Sequence, residues 1–254
     1  MFCVAIANHK GGVGKTATTA NLGAELASSG RRVLLVDVDP QASLTAACGV
    51  DGDTGGNLAD VIRGGLSLPA ILRELRPGLE LAPAALDLAA AELGIASRPG
   101  REMLLRRSLA AVAARYDVAL LDCPPGLGLL TVGALVAAQA VLIPTQPQGA
   151  DLRALRLFLG TVDGIRAQLN PGLAILGILP TFYDRRLTHH AAAMAAMTGA
   201  GLPVLPVTIG RSVRIAEAMA AGVPLAEYDP GNPQAEAYKQ LAEAITSWLE
   251  SNPT

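Results

Sequence analysis

The chain has 254 residues, 51% of them hydrophobic and 17% charged, with a formal net charge of −2. That length is enough for one large α/β domain with a sizeable core, and without a global positive field any contact with nucleic acid must come from a local patch. Aromatic residues make up only 3%, and the three cysteines, Cys3, Cys48 and Cys123, are scattered; the core is therefore aliphatic, and the thiols read as reduced rather than as a disulfide or metal framework.

In chain order, the first apolar run, residues 3–7, reads as a strand, and it leads directly into Lys10-Gly-Gly-Val-Gly-Lys-Thr16. A helix is expected over 15–28. Strand, glycine-rich turn and helix in that order form a phosphate-binding loop. The glycines let successive N–H groups point inward at phosphate oxygens. Lys15 supplies positive charge to the β and γ phosphates, and the Thr16 hydroxyl is placed to ligate Mg²⁺. The start of the helix adds its positive end. Lys10, Gly11, Gly12, Val13, Gly14, Lys15, Thr16 and Ala17 are thus the candidate nucleotide contacts.

The next strand, 33–37, ends Asp37-Val-Asp39-Pro-Gln41. Helices follow over 57–63 and 67–75, a strand over 79–82, and helices over 86–93 and 101–115. The strand at 118–122 ends in Asp122, followed by Cys-Pro-Pro. In a parallel sheet the strand C-termini line the ligand crevice, which directs Asp37, Asp39 and Asp122 at the phosphate loop. Asp122 reads as an outer-sphere Mg²⁺ partner, with Asp37 sharing that role. Asp39, facing the same way as Asp37, reads as the group that orients an attacking water. Phosphoryl transfer needs mainly positioning and charge neutralisation, so one carboxylate can suffice.

Residues 123–150 carry no charge. A transmembrane helix needs about 20 apolar residues, and this stretch is broken by Pro124, Pro125, Gly126, Gly128, Pro144 and Pro147. A buried helix over 129–138 and a central strand over 140–143 account for it. Then come a helix over 151–168, strands over 174–179 and 204–207, and helices over 188–197, 212–220 and 233–250. His189 and His190 open one of these helices, with no further ligand in view. The expected fold is α/β: a single domain over 1–254 of the P-loop NTPase type, with a mostly parallel twisted sheet covered by helices on both faces. The first strand begins at once, with no secretory leader ahead of it and no helix-turn-helix, so a cytoplasmic chain without an operator-reading domain is expected.

The loop departs from the common pattern: His9 stands where a glycine is usual, and a second lysine, Lys10, opens the loop. This resembles the deviant Walker A motif of the ParA/MinD family of ATPases. The resemblance runs through residues 34–43, similar to that family's switch I, and 120–138, similar to its switch II, with Gly126 and Gly133 where the family usually has Ser and Asn. It continues through 81–93, 177–186 and 210–238. It implies that Lys10 acts in trans across a dimer on the partner's nucleotide, and that Lys15 and Thr16 are the loop pair. It also implies that Asp39 orients the water and that Asp122 is the Walker B acid. Further, it implies an ATP- and Mg²⁺-dependent homodimer that binds nonspecific DNA and is stimulated by a ParB-like or cargo-adaptor protein. Such a protein is nucleoid-associated, in a bacterium or encoded on a plasmid, and positions a plasmid, chromosome or protein complex. Candidate DNA contacts are Arg211 and Arg214, with Arg185, Arg186 and Lys239. So thin a patch gives weak, salt-sensitive binding, and dimerisation doubles it.

Two other classes share the loop. A MinD-like membrane-patterning ATPase would end in a basic amphipathic helix. Here the polar side of the last helix holds Glu236, Glu243 and Glu250 with Lys239, a net acidic face that anionic lipid repels, so that helix is expected to pack on the sheet, without stable membrane insertion. An enzyme acting on a small substrate, whether an iron–sulfur reductase or a ligase, is the remaining alternative. Only Cys123 stands near switch II to hold a cluster.

Overall fold

Within residues 33–36 the side chains alternate: Leu34 and Val36 join one buried apolar layer, Val33 and Leu35 the other. This period of two is what a strand covered on both faces requires. The computed structural model describes residues 1–252. Its elements run β1 (Phe2–Ile6), α1 (Lys15–Ser28), β2 (Val33–Asp37), α2 (Ser43–Ala47), α3 (Leu58–Arg63), α4 (Leu68–Ile71), β3 (Arg73–Arg76), β4 (Leu79–Ala82) and α5 (Asp87–Ile95). After a 3₁₀ turn (Arg101–Met103) come α6 (Leu104–Ala110), β5 (Val118–Asp122), α7 (Leu129–Ala137), β6 (Ala140–Thr145), α8 (Gly149–Gln168) and β7 (Ala174–Tyr183). The chain continues through α9 (Thr188–Gly199), β8 (Ile209–Gly210), α10 (Val213–Ala220), α11 (Leu225–Tyr228) and α12 (Pro233–Ser251).

The strands form one sheet in the order β3-β4-β2-β5-β1-β6-β7-β8. Only the β3–β4 pair is antiparallel. One apolar layer gathers residues of α3, α5, α6, α7 and α8; the other gathers α1 and α12. From β1 the chain crosses over β5 to reach β2, and from β5 it crosses back over β1 to reach β6. The C-terminal end of β1 is therefore a topological switch point, where open α/β sheets bind ligands.

Several expectations are corrected. The helix expected over 67–75 shrinks to α4, and residues 73–76 become edge strand β3. Pro77-Gly78, with Gly78 at φ +80°, turns that segment back as a hairpin onto β4. The strand expected over 204–207 is a single bridge, Ile178 to Val204, and the last strand is the short β8. The helix expected to reach residue 115 ends at Ala110. The two short helices α2 and α11 carried too few residues to show a period. By contrast, α12 packs on the sheet as expected, beside α1: it meets β8, Trp248 meets Phe2 of β1 edge-on at 5.5 Å, and Tyr238, Leu241 and Ile245 are buried in the same apolar layer. Among the described residues no helix is long and apolar enough to cross a membrane.

Candidate nucleotide site

Residues 8–14 leave β1 at the switch point and curl into α1. Asn8, buried, fixes the start of the loop. Its amide donates to Pro144 O (2.7 Å) and Thr145 Oγ1 (3.2 Å), and its Oδ1 accepts from Lys10 N–H (3.1 Å). Neighbouring strand ends hold the rest. Gln146 Nε2 donates to Gly12 O (3.0 Å), and Thr181 Oγ1 donates to Val13 O (2.8 Å). Gly126 N–H donates to His9 O (3.0 Å), so the segment after β5 rests on the loop. Gly12 and Gly14 have φ of +70° and +84°, a region that L side chains adopt at a cost. Gly14 caps α1 with no side-chain hydrogen bond, so the first-turn N–H groups, which have no intrahelical partner, face the loop.

Lys15 is buried, and its Nζ donates to Lys10 O (3.2 Å). Burial lowers its pKa, while the nearby charges of Asp122 and Asp39 pull it back up. Asp122 is fully buried and accepts from Thr16 Oγ1 (2.8 Å) and Thr19 Oγ1 (3.2 Å). Asp37 is its register partner on the adjacent strand. Burial raises the pKa of both carboxyls, Asp37 to about 6 and Asp122 to about 8; the charge of Asp39 further raises Asp37, and that of Asp37 further raises Asp122. Two buried acids beside a buried lysine fit a Mg²⁺-triphosphate, because the cation offsets the charge that burial makes costly. Thr16 would hold Mg²⁺ directly, with Asp122 behind it.

Asp37 is engaged elsewhere. Its Oδ2 accepts from the Thr45 N–H (2.8 Å) and hydroxyl (2.7 Å), and its Oδ1 from Asp39 N–H (3.1 Å). Thr45 Oγ1 in turn accepts from Ala84 N–H (2.9 Å), tying α2 to the end of β4. Asp37 therefore organises the turn that carries Asp39. Asp39 itself is buried and accepts from Gln41 N–H (2.9 Å).

Beside Gly14 and Ala17 opens an apolar cavity of about 180 Å³, walled by Thr181, Phe182, Ile209, Ile215, Met219 and Tyr238. The candidate basic residues divide into two places. Arg185, Arg186, Arg211 and Arg214 gather where β7 and β8 end, since Tyr183 pairs with Gly210. There Arg186 pairs with Asp184, and Arg214 with Glu217 and Asp229. Lys239 instead lines a groove between α1 and α12 with Glu25, Arg31 and Glu243. His190 is buried, its Nδ1 accepting from Asp184 N–H (3.1 Å).

The sequence reading missed Asn8, Thr45, Gln146, Thr181 and Phe182. All but Thr45 lie at strand ends on the crevice side. The available signal is the rule that such ends line the site; for Gln146, Thr181 and Phe182 it is obscured because β6 and β7 run on to Thr145 and Tyr183, beyond their expected ends at 143 and 179.

A family described as "AAA domain" matches residues 1–175. The sporulation initiation inhibitor protein Soj of Bacillus subtilis is 38% identical over 96% of this chain and 98% of its own length. The chromosome partitioning protein ParA of Caulobacter vibrioides is 40% identical over 96% of this chain and 93% of its own. The chain belongs to the ParA/MinD family of P-loop ATPases. The cobyrinic acid a,c-diamide synthase of Mycobacterium smegmatis, solved with a bound ATP analogue and magnesium, superposes with a TM-score of 0.88. It is 38% identical, over 100% of this chain and 97% of that one. The septum site-determining protein MinD of Pyrococcus horikoshii, solved with Mg-ADP, gives 0.82 at 28% identity over 100% and 99%. As a member of the ParA/MinD family, the protein is an ATPase that uses ATP and Mg²⁺.

Proposed function

We propose that this ATPase is a dimerising switch that binds nonspecific DNA in its ATP state and positions a cargo, with a partner protein stimulating hydrolysis. The observation that carries the reading is the open rim of the phosphate loop. Gly11 and Gly12 are exposed and Lys10 is half-buried at the sheet's C-terminal edge, where a second copy has access. Lys10 then reaches the partner's nucleotide. Thr16, Lys15 and the α1 amides cradle the phosphates, while Mg²⁺ neutralises charge on their oxygens. The apolar cavity beside Ala17 takes the base. Asp39, held by the Asp37–Thr45 network, orients the water.

The same network couples chemistry to shape. The segment after β5 rests on His9 O through Gly126, and the Asp39 turn hangs on Asp37. Loss of the γ-phosphate removes a ligand from beneath both segments, which is how nucleotide switches are released. Nucleoid association follows from the DNA-bound state. The test is retention on nonspecific duplex DNA with Mg·ATP, with ADP and without nucleotide, alongside light scattering for dimer mass. Retention and dimerisation with ATP alone, fading steeply with salt, are expected. Absence of retention in every state would discard the DNA role.

A second reading comes from the Mycobacterium smegmatis structure, whose name is that of an amide-forming enzyme. Glutamine-dependent amidation begins with a thiolate. Here Cys3 and Cys123 are buried, and burial raises all three thiols, Cys3 to about 11 and Cys48 to about 12, which favours the switch reading. Amide product from ATP and ammonia would reverse that preference.

A further inference from the structure

Phe182 has φ +50°, a left-handed conformation that is an outlier for a bulky side chain and that persists only where its surroundings hold it. It is also the extra residue of a bulge. β7 pairs with β8 at Thr181–Ile209 and again at Tyr183–Gly210, two residues against one. Bulges beside active sites re-aim a side chain. Here the ring is aimed at the nucleotide site. Its Cε2 lies 3.6 Å from where a Cβ on Gly14 would sit, and it walls the apolar cavity beside Ala17. The same ring lies 5.9 Å from the Arg211 guanidinium carbon, within cation–π range. Its neighbour Thr181 separately ties β7 to the loop through Val13 O.

We propose that Phe182 is a positioning residue that couples the cavity to Arg211. The ring bounds the bound base, and the arginine holds the ring against it. The coupling rests on reading that cavity as the base pocket. It runs both ways by linkage. A filled pocket fixes Arg211 in place. A phosphate diester that meets Arg211 where it stands on the ring in turn holds the pocket, so nucleotide and polyanion favour each other. Arg211, Arg185 and Arg214 are all exposed just past the paired ends of β7 and β8, so the switch would sense nucleotide and polyanion through one aromatic side chain.

The experiment is calorimetric titration of Mg·ATP and of Mg·tripolyphosphate, which has no base, into wild type, Phe182→Leu, Arg211→Gln, the double variant and Phe182→Tyr. ATP affinity is expected to fall about two- to fivefold in each of Phe182→Leu and Arg211→Gln, the size of an exposed cation–π contact. It should fall no further in the double variant and hold in Phe182→Tyr, with tripolyphosphate unchanged throughout. Additive losses in the double variant would overturn the coupling. An equal loss for tripolyphosphate would make Phe182 a mere support of the phosphate loop and overturn it as well. If wild type itself binds ATP no tighter than tripolyphosphate, the base-pocket reading fails first, an outcome separable from the other two.

Discussion

Lys15 is a cation kept in a nearly closed space, 7% exposed, with its ammonium on a backbone carbonyl. A triphosphate gives that charge a stronger partner, so Lys15→Ala should abolish ATP binding by titration calorimetry while the chain stays folded. A different task is expected of Asp39. It is expected to act on the water and not on the phosphates, so Asp39→Ala should keep ATP binding and lose turnover, trapping an ATP-bound dimer visible by light scattering; unchanged phosphate release would move the role elsewhere. Asp122 supplies a pH prediction. Its folded pKa, about 8, and that of Asp37, about 6, stand above the ordinary 3.8. Between those values the native chain binds more protons than the unfolded chain. Stability therefore falls as pH rises from about 4 to about 8 in the absence of Mg²⁺. Asp122→Asn should flatten that slope, and should be more stable than wild type at pH 8 in urea denaturation without nucleotide. A steeper slope would refute the assignment.

Element packing sets how these residues are presented. Helix α1 carries Lys15, Thr16 and Thr19 at its start, and further along it lies so close to β2 that a Cβ on Gly23 would sit 2.5 Å from Leu35 Cδ2. The other side of α1 is covered by α12. Gly23→Val would push the helix off the sheet, at a cost of about 1–3 kcal/mol as for other overpacked sites. A drop in urea midpoint with reduced ATP affinity is the expected pair of results, because tilting α1 moves the loop. The element scale is also where sequence reading failed most. Residues 73–76 follow a short helical pattern, and only the Pro77-Gly78 turn and the open edge of β4 make them a strand. Residues 209–210 are too short to show a period, and they form β8 because β7 runs on to Tyr183 beside them.

Across the whole molecule, the nucleotide site and the arginine cluster share one end of the sheet, while Lys239 faces the groove between α1 and α12. DNA contact is therefore expected from Arg211 and Arg214, with Arg185 and Arg186 near them. Arg211→Glu combined with Arg214→Glu should sharply reduce DNA retention at low salt and should lessen its salt dependence, read by filter binding with Mg·ATP. Retention equal to wild type would place the DNA surface elsewhere. Arg214 and Arg186 pair with carboxylates on the chain, and on the proposed DNA contact those pairs would exchange for phosphates, which would keep affinity low and release easy.

The phosphate loop, the three acids and the alternation of strands and helices were legible in the sequence because each is local. A glycine-rich turn after an apolar run, or a strand ending in Asp, needs only neighbours in the chain to be read. The tertiary structure alone decided which residues complete the site. Asn8, Gln146 and Thr181 reach the loop from adjacent strands, Thr45 takes up Asp37, and Phe182 turns inward on a bulge. Those contacts join residues 8 to 168 positions apart, and they follow from strand order and register, which no local pattern encodes.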